Sequence, residues 1–409
     1  MKFEDFDIIL FALPRWDAIY SSGTFCTAKE LAKSNRVFYI DHPFTWKDYF
    51  NNKSSDEIRN RTDALLHGKN IYRKVKGLPE KFTAVTTKLT LPINFLPEGK
   101  LYNLLSKRND KIVYKTVERI IKENKIEKFI YFNSFDPFYG LTFPSSFKPD
   151  VFVYKTSDDI SQEEYTAKHG VRMEEEMVKR ADIVLATSVE LTRIKSEISY
   201  NVHYLPNAAS IEIFERAYRE QLAKPKELEN INTKIIGYMG ALSTRINYEL
   251  FKKTAEYHSD KTLVLVGSKD NPHYKHVGLE DLDNVIFTGP KKIEQLPNYL
   301  QYFDCTIIPF EISKLTKSIY PLKLNEYLAG GKPVVLTDFA NLDEFKDVVY
   351  IADNEDQFVN LINRAIEEDS DELKLRRYKV ASGNSWSARA EQFKQIVMNF
   401  INKKEKSVS

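Results

Sequence analysis

Residues 234–267, KIIGYMGALSTRINYELFKKTAEYHSDKTLVLVG, hold the pattern that decides the fold. Lys234–Met239 is a short apolar run suited to a buried strand. Asn247–Tyr257 reads as a helix. Thr262–Val266 is a second apolar run that ends at Gly267. Short apolar runs bounded by turn residues and separated by helical segments predict parallel sheets with helices on both faces.

The same alternation extends in both directions. Downstream, the pattern predicts a strand at Val285–Thr288 ending at Gly289 and a helix at Gln295–Tyr302. A strand at Asp304–Pro309, a helix at Leu322–Ala329, and strands at Pro333–Thr337 and Val348–Ile351 follow. Upstream it predicts a strand at Asp7–Leu13, a helix near Thr24–Ser34 and a strand at Arg36–Ile40. Further strands fall at Lys128–Phe132, Val151–Tyr154, Ala181–Ala186 and Val202–Leu205, with a helical segment at Glu174–Arg180. Two such series of roughly 200 residues predict two doubly wound, Rossmann-like α/β domains. The first is expected over 1–206 and the second over 207–385. The charged, helical stretch Asn207–Asn232 reads as a connector. Asn51–Lys111 reads as a long irregular segment. It holds 13 basic against 6 acidic residues and an apolar stretch, Leu89–Leu105, interrupted by Pro92 and Pro97.

Composition narrows the function. The net charge of the 409 residues is +2, which gives no electrostatic footprint for nucleic acid. Cys26 and Cys305 are far apart and lack metal-ligand spacing, which fits a reducing cytoplasm. Met1–Leu10 lacks the basic-then-apolar pattern of a signal peptide. No apolar run approaches the ~20 residues of a membrane span. A cytoplasmic protein, with possible peripheral contact at the inner membrane face, is the expectation.

The segment richest in chemistry is SIYPLKLNEYLAGGKPVV, Ser318–Val335. Pro321 suits a helix start, Gly330-Gly331 its end, and Pro333 the entry to a strand. Lys323 and Glu326, three apart, share a face near the helix N-terminus. Free N–H groups and positive potential there favour a diphosphate, and Lys323 adds charge. Glu326 can accept hydrogen bonds from ribose hydroxyls. On spacing alone, the pattern reads first as an ordinary amphipathic helix with an exposed Lys–Glu pair.

Pro321–Val335 resembles the nucleotide-binding helix of GT-B glycosyltransferases, especially family 4 and the teichuronic-acid-type enzymes near it. The resemblance places Glu326 at the second Glu of their Glu-x7-Glu motif, the one that binds the nucleotide ribose. Ser318 stands at the first Glu, so Ser318 or the backbone of Ile319–Tyr320 takes over that contact. Gly237–Asn247 resembles the glycine-containing first turn of the nucleotide domain, with Gly240 approaching the donor. Ala241 and Ile246 stand where cations are usual, which leaves Arg245 to replace them or to be a solvated loop residue. Gly267 and Thr288-Gly289-Pro290 resemble strand ends lining the base pocket, with the backbone near Lys291 and Lys292 reading the base. Pro206-Asn207 resembles the turn between domains, and 386–409 the final helix that returns to the first domain. The resemblance implies two domains facing across a cleft and a hexosyl-type transfer from a nucleotide diphosphate sugar, UDP or GDP. The acceptor would be a glycan or lipid-linked hydroxyl and the anomeric configuration retained, in cell-surface polysaccharide synthesis.

In the first half, Pro14–Gly23 follows the first strand, where similar enzymes keep a loop facing the substrates. Arg15, Asp17 and Gly23 are its candidates. Asn133–Asp136 follows another strand, and ligands gather at the carboxyl ends of strands, so Asp136 is expected to orient an acceptor hydroxyl. Catalytic weight thus falls on Asp136, Arg245 and Lys323. His42, in Asp-His-Pro, reads as catalytic or as a structural strand-end histidine. Asp158-Asp159 invites a metal reading, but a turn or helix cap is the simpler one, so no metal and no cofactor is expected. Two rival functions remain: a non-catalytic sugar-nucleotide-binding protein, and another GT-B enzyme such as a nucleotide-sugar epimerase.

Overall fold

The computed structural model describes residues 1–17, 22–162 and 164–408. The chain divides into two compact units, 1–206 with 389–409, and 207–388. Each is built on its own sheet.

The strands of the first unit are β1 (Asp7–Ala12), β2 (Val37–Asp41), β3 (Tyr72–Arg73), β4 (Phe82–Val85), β5 (Phe129–Ser134), β6 (Val151–Thr156), β7 (Ile183–Ala186) and β8 (Val202–Tyr204). They form one sheet in the order β3-β4-β2-β1-β5-β6-β7-β8, parallel except for β3 against β4. The near-continuous apolar character of β1 follows from burial on both faces. One face packs Ile8, Leu10 and Phe132 under the C-terminal helix Trp386–Val408, whose Phe393 stacks on Phe132 at 5.1 Å. The other face packs Ile9, Phe11 and Tyr131 against Val113, Val117 and Ile120.

The second unit carries β9 (Ile235–Met239), β10 (Thr262–Val266), β11 (Val285–Phe287), β12 (Cys305–Ile308), β13 (Val334–Thr337) and β14 (Tyr350–Ala352). Their order is β11-β10-β9-β12-β13-β14, all parallel. In each sheet the chain leaves the central strand one way and later returns to build the other side. The reversal lies between β1 and β5 in the first sheet and between β9 and β12 in the second. Such switch points leave a crevice at the carboxyl ends of the strands, where α/β sheets hold ligands.

Three readings of the sequence are corrected. Asn51–Lys111 is not irregular: it contains β3, β4 and the first part of a 24-residue helix, Lys100–Glu123. The apolar pattern of the helix is weak because its buried face includes polar groups. Asp110 accepts from the amides of Gly140 (2.8 Å) and Thr142 (2.7 Å), and Asn109 pairs with both backbone groups of Leu91. Asn207–Asn232 is more than a connector, because Ile211, Phe214 and Leu228 are buried in the second core. The last strand begins at Tyr350 rather than Val348, whose amide closes a turn onto the Phe345 carbonyl. Among the described residues no helix is long and apolar enough to cross a membrane.

Candidate functional site

The site grows from the switch point of the second sheet. β9 ends at Met239, and Gly240 follows with φ 143°, a backbone conformation that side chains rarely adopt. The turn is held against the end of β10: Gly240 N–H donates to the Val266 carbonyl and Leu242 N–H to the Ser268 carbonyl, both at 2.8 Å. Gly267 makes that approach possible, since a methyl there would lie 1.9 Å from the Gly240 carbonyl oxygen. Arg245, half-buried further along the loop, is fixed through its carbonyl, which accepts from Glu311 N–H after β12 at 2.9 Å.

The helix Leu322–Ala329 starts at Pro321, which has no N–H to leave unsatisfied. Leu324, Tyr327 and Leu328 bury its inner face. The Tyr327 hydroxyl accepts from Met239 N–H at 2.8 Å and donates to the Met239 carbonyl at 3.2 Å. That pair of bonds ties the helix to the end of β9. Asn325, wholly buried, donates to the Tyr320 hydroxyl and accepts from Asn384, at 2.9 and 3.0 Å. One turn before Tyr327, the Lys323 side chain therefore lies along Gly240. A methyl on Gly240 would sit 2.1 Å from Lys323 Cε and 2.5 Å from Nζ. The ammonium also lies 5.6 Å from the Tyr238 ring centroid and 5.8 Å from that of Phe310.

The Lys–Glu pair is thus half-buried rather than on an exposed helix face. Burial holds the Lys323 ammonium below the usual lysine range. The Glu326 charge opposes this and the Arg245 charge adds to it. Burial pushes the Glu326 carboxyl up to about 7, with Lys323 offsetting part of the rise. The arrangement concentrates cationic groups and helix N–H groups around a glycine turn, with a carboxyl three residues along. That suits a diphosphate followed by a ribose.

A pH dependence follows from Glu326. Its folded pKa lies above the ordinary 4.5, so the folded state holds the proton more tightly than the unfolded chain. The stability this contributes is full below about 4.5 and is lost as pH rises through about 7. Glu326→Gln cannot ionise. Relative to the wild type, its unfolding free energy is expected to improve between pH 5 and 8 by at most about 3 kcal/mol. Denaturant titrations of both proteins across that range check this, and parallel pH profiles would contradict it.

Two further candidates of this unit are Ser318 and Gly289. Ser318 is wholly buried and donates to the Leu315 carbonyl at 2.7 Å, so its side chain is turned inward, and of the two expected donor contacts the one through its hydroxyl is corrected. It closes the short helix Lys314–Lys317, a role that suits serine better than glutamate. Gly289, at the end of β11, has φ 71° and open space around it. Beside it, Lys291 donates to Glu227 at 2.6 Å.

The first unit rearranges the candidates further. Asp136 is wholly buried, so it cannot itself meet an acceptor. Its Oδ2 lies 2.5 Å from His42 Nδ1, joining the carboxyl ends of β5 and β2. A carboxylate only accepts, so Nδ1 is the donor of this bond and Nε2 is the ring nitrogen left facing away from Asp136. The His42 side chain remains a quarter exposed. Sequence reasoning weighed both residues but missed the pairing, because 94 positions separate them. Asp17 bridges to buried Arg61 at 2.7 Å, and Arg61 reaches Asp41 at 3.4 Å. Burial lifts the Asp41 carboxyl to about 7 against the Arg61 charge. Arg15 stacks 3.6 Å over the Phe44 ring and reaches Glu57 at 3.5 Å. Arg15 and Asp17 therefore hold their loop in place. Of that loop, Ala18–Ser21 lie outside the described residues. Gly23 opens the helix Gly23–Leu31 behind its cap Ser22, whose hydroxyl accepts from Phe25 N–H. Asp159 accepts from the Ser161 amide and hydroxyl, a turn cap. Among the described residues no group of three or more His, Cys, Asp or Glu is placed to hold a metal.

Residues 233–368 match the model of the family described as glycosyl transferases group 1, a span that contains Gly240, Arg245, Lys323 and Glu326. A Bacillus subtilis protein, TuaH, provisionally named as a teichuronic acid biosynthesis glycosyltransferase, is 27% identical over 231 residues. That match takes in 54% of this chain and 57% of TuaH, so the chain spans little more than half of that relative. Among solved structures, sucrose-phosphate synthase from Thermosynechococcus elongatus is similar with TM-score 0.68 at 14% identity, covering 97% of this chain and 100% of that one. An Escherichia coli trehalose-6-phosphate structure bound with UDP-2-fluoro glucose gives 0.67 at 10% identity, covering 96% and 99%. HepE of Anabaena in complex with UDP gives 0.62 at 13% identity, covering 96% and 100%. The fold is GT-B, and the second unit resembles group 1 glycosyltransferases.

Proposed function

We propose that this GT-B chain, similar to group 1 glycosyltransferases, moves a hexosyl group from a nucleoside diphosphate sugar to a hydroxyl of a glycan or lipid-linked acceptor. The observation that carries the reading is the seat of Lys323 against Gly240 at the start of a helix, on the switch point of the second sheet. In this reading the helix N-terminus, Lys323 and Arg245 take the diphosphate, and Glu326 takes the ribose. UDP and GDP are the carriers to test, and UDP has the support that HepE and the trehalose-6-phosphate structure are described with UDP compounds.

The sugar's anomeric carbon separates from the phosphate oxygen and bonds to the acceptor oxygen. The acceptor proton leaves on the departing diphosphate, with retention, as the family-4 likeness suggests. The cations stabilise the charge on that diphosphate, and they do so more as the bond breaks. Within the first unit, His42, held by buried Asp136, is the candidate to meet an acceptor hydroxyl. Cell-surface polysaccharide synthesis is the proposed setting, after TuaH.

The test is release of free nucleotide from UDP- and GDP-sugars. Release that requires both donor and a hydroxyl acceptor, and that persists in EDTA, is expected. Nucleotide binding with no acceptor-dependent release would instead make the chain a sugar-nucleotide-binding protein. Conversion of the donor's sugar without transfer would make it an epimerase. Anomeric analysis of the product separates retention from inversion.

A further inference from the structure

The first unit exposes several large apolar side chains where a loop and two helices meet. Phe95 is 73% exposed, Leu101 58%, Leu104 65% and Val171 45%. Soluble surfaces rarely gather such tips unless they meet something. Phe95 stands in the loop before the helix Lys100–Glu123, Leu101 and Leu104 on that helix's first turns, and Val171 on the helix Glu164–Arg180, on which the loop lies. Lys168 donates to the Phe95 carbonyl at 2.7 Å, and His169 Nε2 lies 3.0 Å from the Leu96 carbonyl. Tyr102 stacks on His169 at 3.8 Å, which joins the first turn of the one helix to the other.

The charges around the patch are mainly of one sign. Leu101, Leu104, Arg108, Lys111 and Lys115 follow at helical spacing, and all are exposed. Lys100, Lys107, Lys168 and Arg172 are also exposed. Glu98, paired with Arg172 at 3.6 Å, is the one acidic residue of 93–109. The opposite side of the helix is fully used, burying Tyr102, Val113, Val117 and Ile120. The outward stripe therefore has no role in the core. A second copy of the chain is a poor occupant, because a two-fold contact would set the same basic stripe against itself.

We propose that this patch docks the protein on an anionic lipid surface, with Phe95, Leu101 and Leu104 entering the headgroup boundary and Arg108, Lys111 and Lys168 meeting the lipid charge. This narrows the basic segment Asn51–Lys111 to its far end. Ile71, Phe82 and Leu89 are buried in the unit's own core and cannot take part.

Sedimentation with vesicles of neutral phosphatidylcholine, and with vesicles containing phosphatidylglycerol, tests the proposal at low and high salt. Binding to the anionic vesicles at least tenfold above the neutral ones is expected at low salt, falling as salt rises. Leu101→Ser with Leu104→Ser should lower that binding tenfold or more, with an unchanged melting temperature because both side chains are exposed. Arg108→Gln with Lys111→Gln should weaken it and flatten its salt dependence. Equal binding to both lipids at low salt overturns the proposal. So does unaltered anionic binding in both double variants, or self-association in sedimentation velocity that the leucine variant abolishes while lipid binding is absent.

Discussion

Lys323→Ala is expected to weaken binding of UDP or GDP tenfold or more, with Glu326→Ala doing the same through the ribose. A hydrogen bond to a charged group is worth roughly 1.5–3 kcal/mol, which sets that scale. Neither change should unfold the protein. Both side chains are half-buried polar groups on a helix anchored by Leu324, Tyr327 and Leu328. Removing Lys323 also relieves the desolvation that holds its ammonium below the usual lysine range. The apo protein should therefore melt no lower than the wild type, while nucleotide no longer raises its melting temperature. Saturating ligand, at 100 times its dissociation constant, stabilises a fold by ~2.7 kcal/mol, so the loss is large enough to read in a thermal shift. Unchanged nucleotide affinity in both variants would remove the diphosphate–ribose assignment.

Gly267→Ala should have the largest effect on the fold around the site. Its methyl would lie 1.9 Å from the carbonyl oxygen and 2.5 Å from the carbonyl carbon of Gly240, and backbone cannot rotate aside as a side-chain tip can. The Gly240 turn must move, which breaks its bonds to Val266 and Ser268 and displaces the seat of Lys323. Overpacking of a fixed core costs about 1–3 kcal/mol, and nucleotide affinity should fall with it. Gly289→Ala is the informative comparison. Unlike Gly267, that residue has positive φ, 71°, and nothing lies within 4 Å of an added methyl. Its cost should be confined to the backbone, about 1–2 kcal/mol. Calorimetry and nucleotide titration of the two variants check the contrast. Equal effects would mean that the close approach of Gly267 to Gly240 does not hold the turn.

The sequence by itself determined the fold class and most of the strands. A parallel sheet covered on both faces requires short runs apolar on both sides, and DIILFA, IIGYM and TLVLV are legible without knowing their neighbours. Resemblance to a known nucleotide-binding helix and turn singles out Gly240, Lys323 and Glu326, because spacing alone reads Lys323 and Glu326 as an ordinary helix pair. The sequence could not show the helix Lys100–Glu123 clearly, since Asn109 and Asp110 are buried there only because distant backbone groups satisfy them. What the tertiary structure alone decided is pairing across the chain. Lys323 meets Gly240 because the Tyr327 hydroxyl bonds Met239, 88 residues away. Asp136 passes from an acceptor contact to a buried support for His42, because β1 lies between β2 and β5 and brings their ends together. Ser318 turns inward because the short helix before it needs a closing hydroxyl. Local patterns register which groups are present. Burial and the desolvation it imposes depend on what packs from elsewhere, and only the folded chain fixes that.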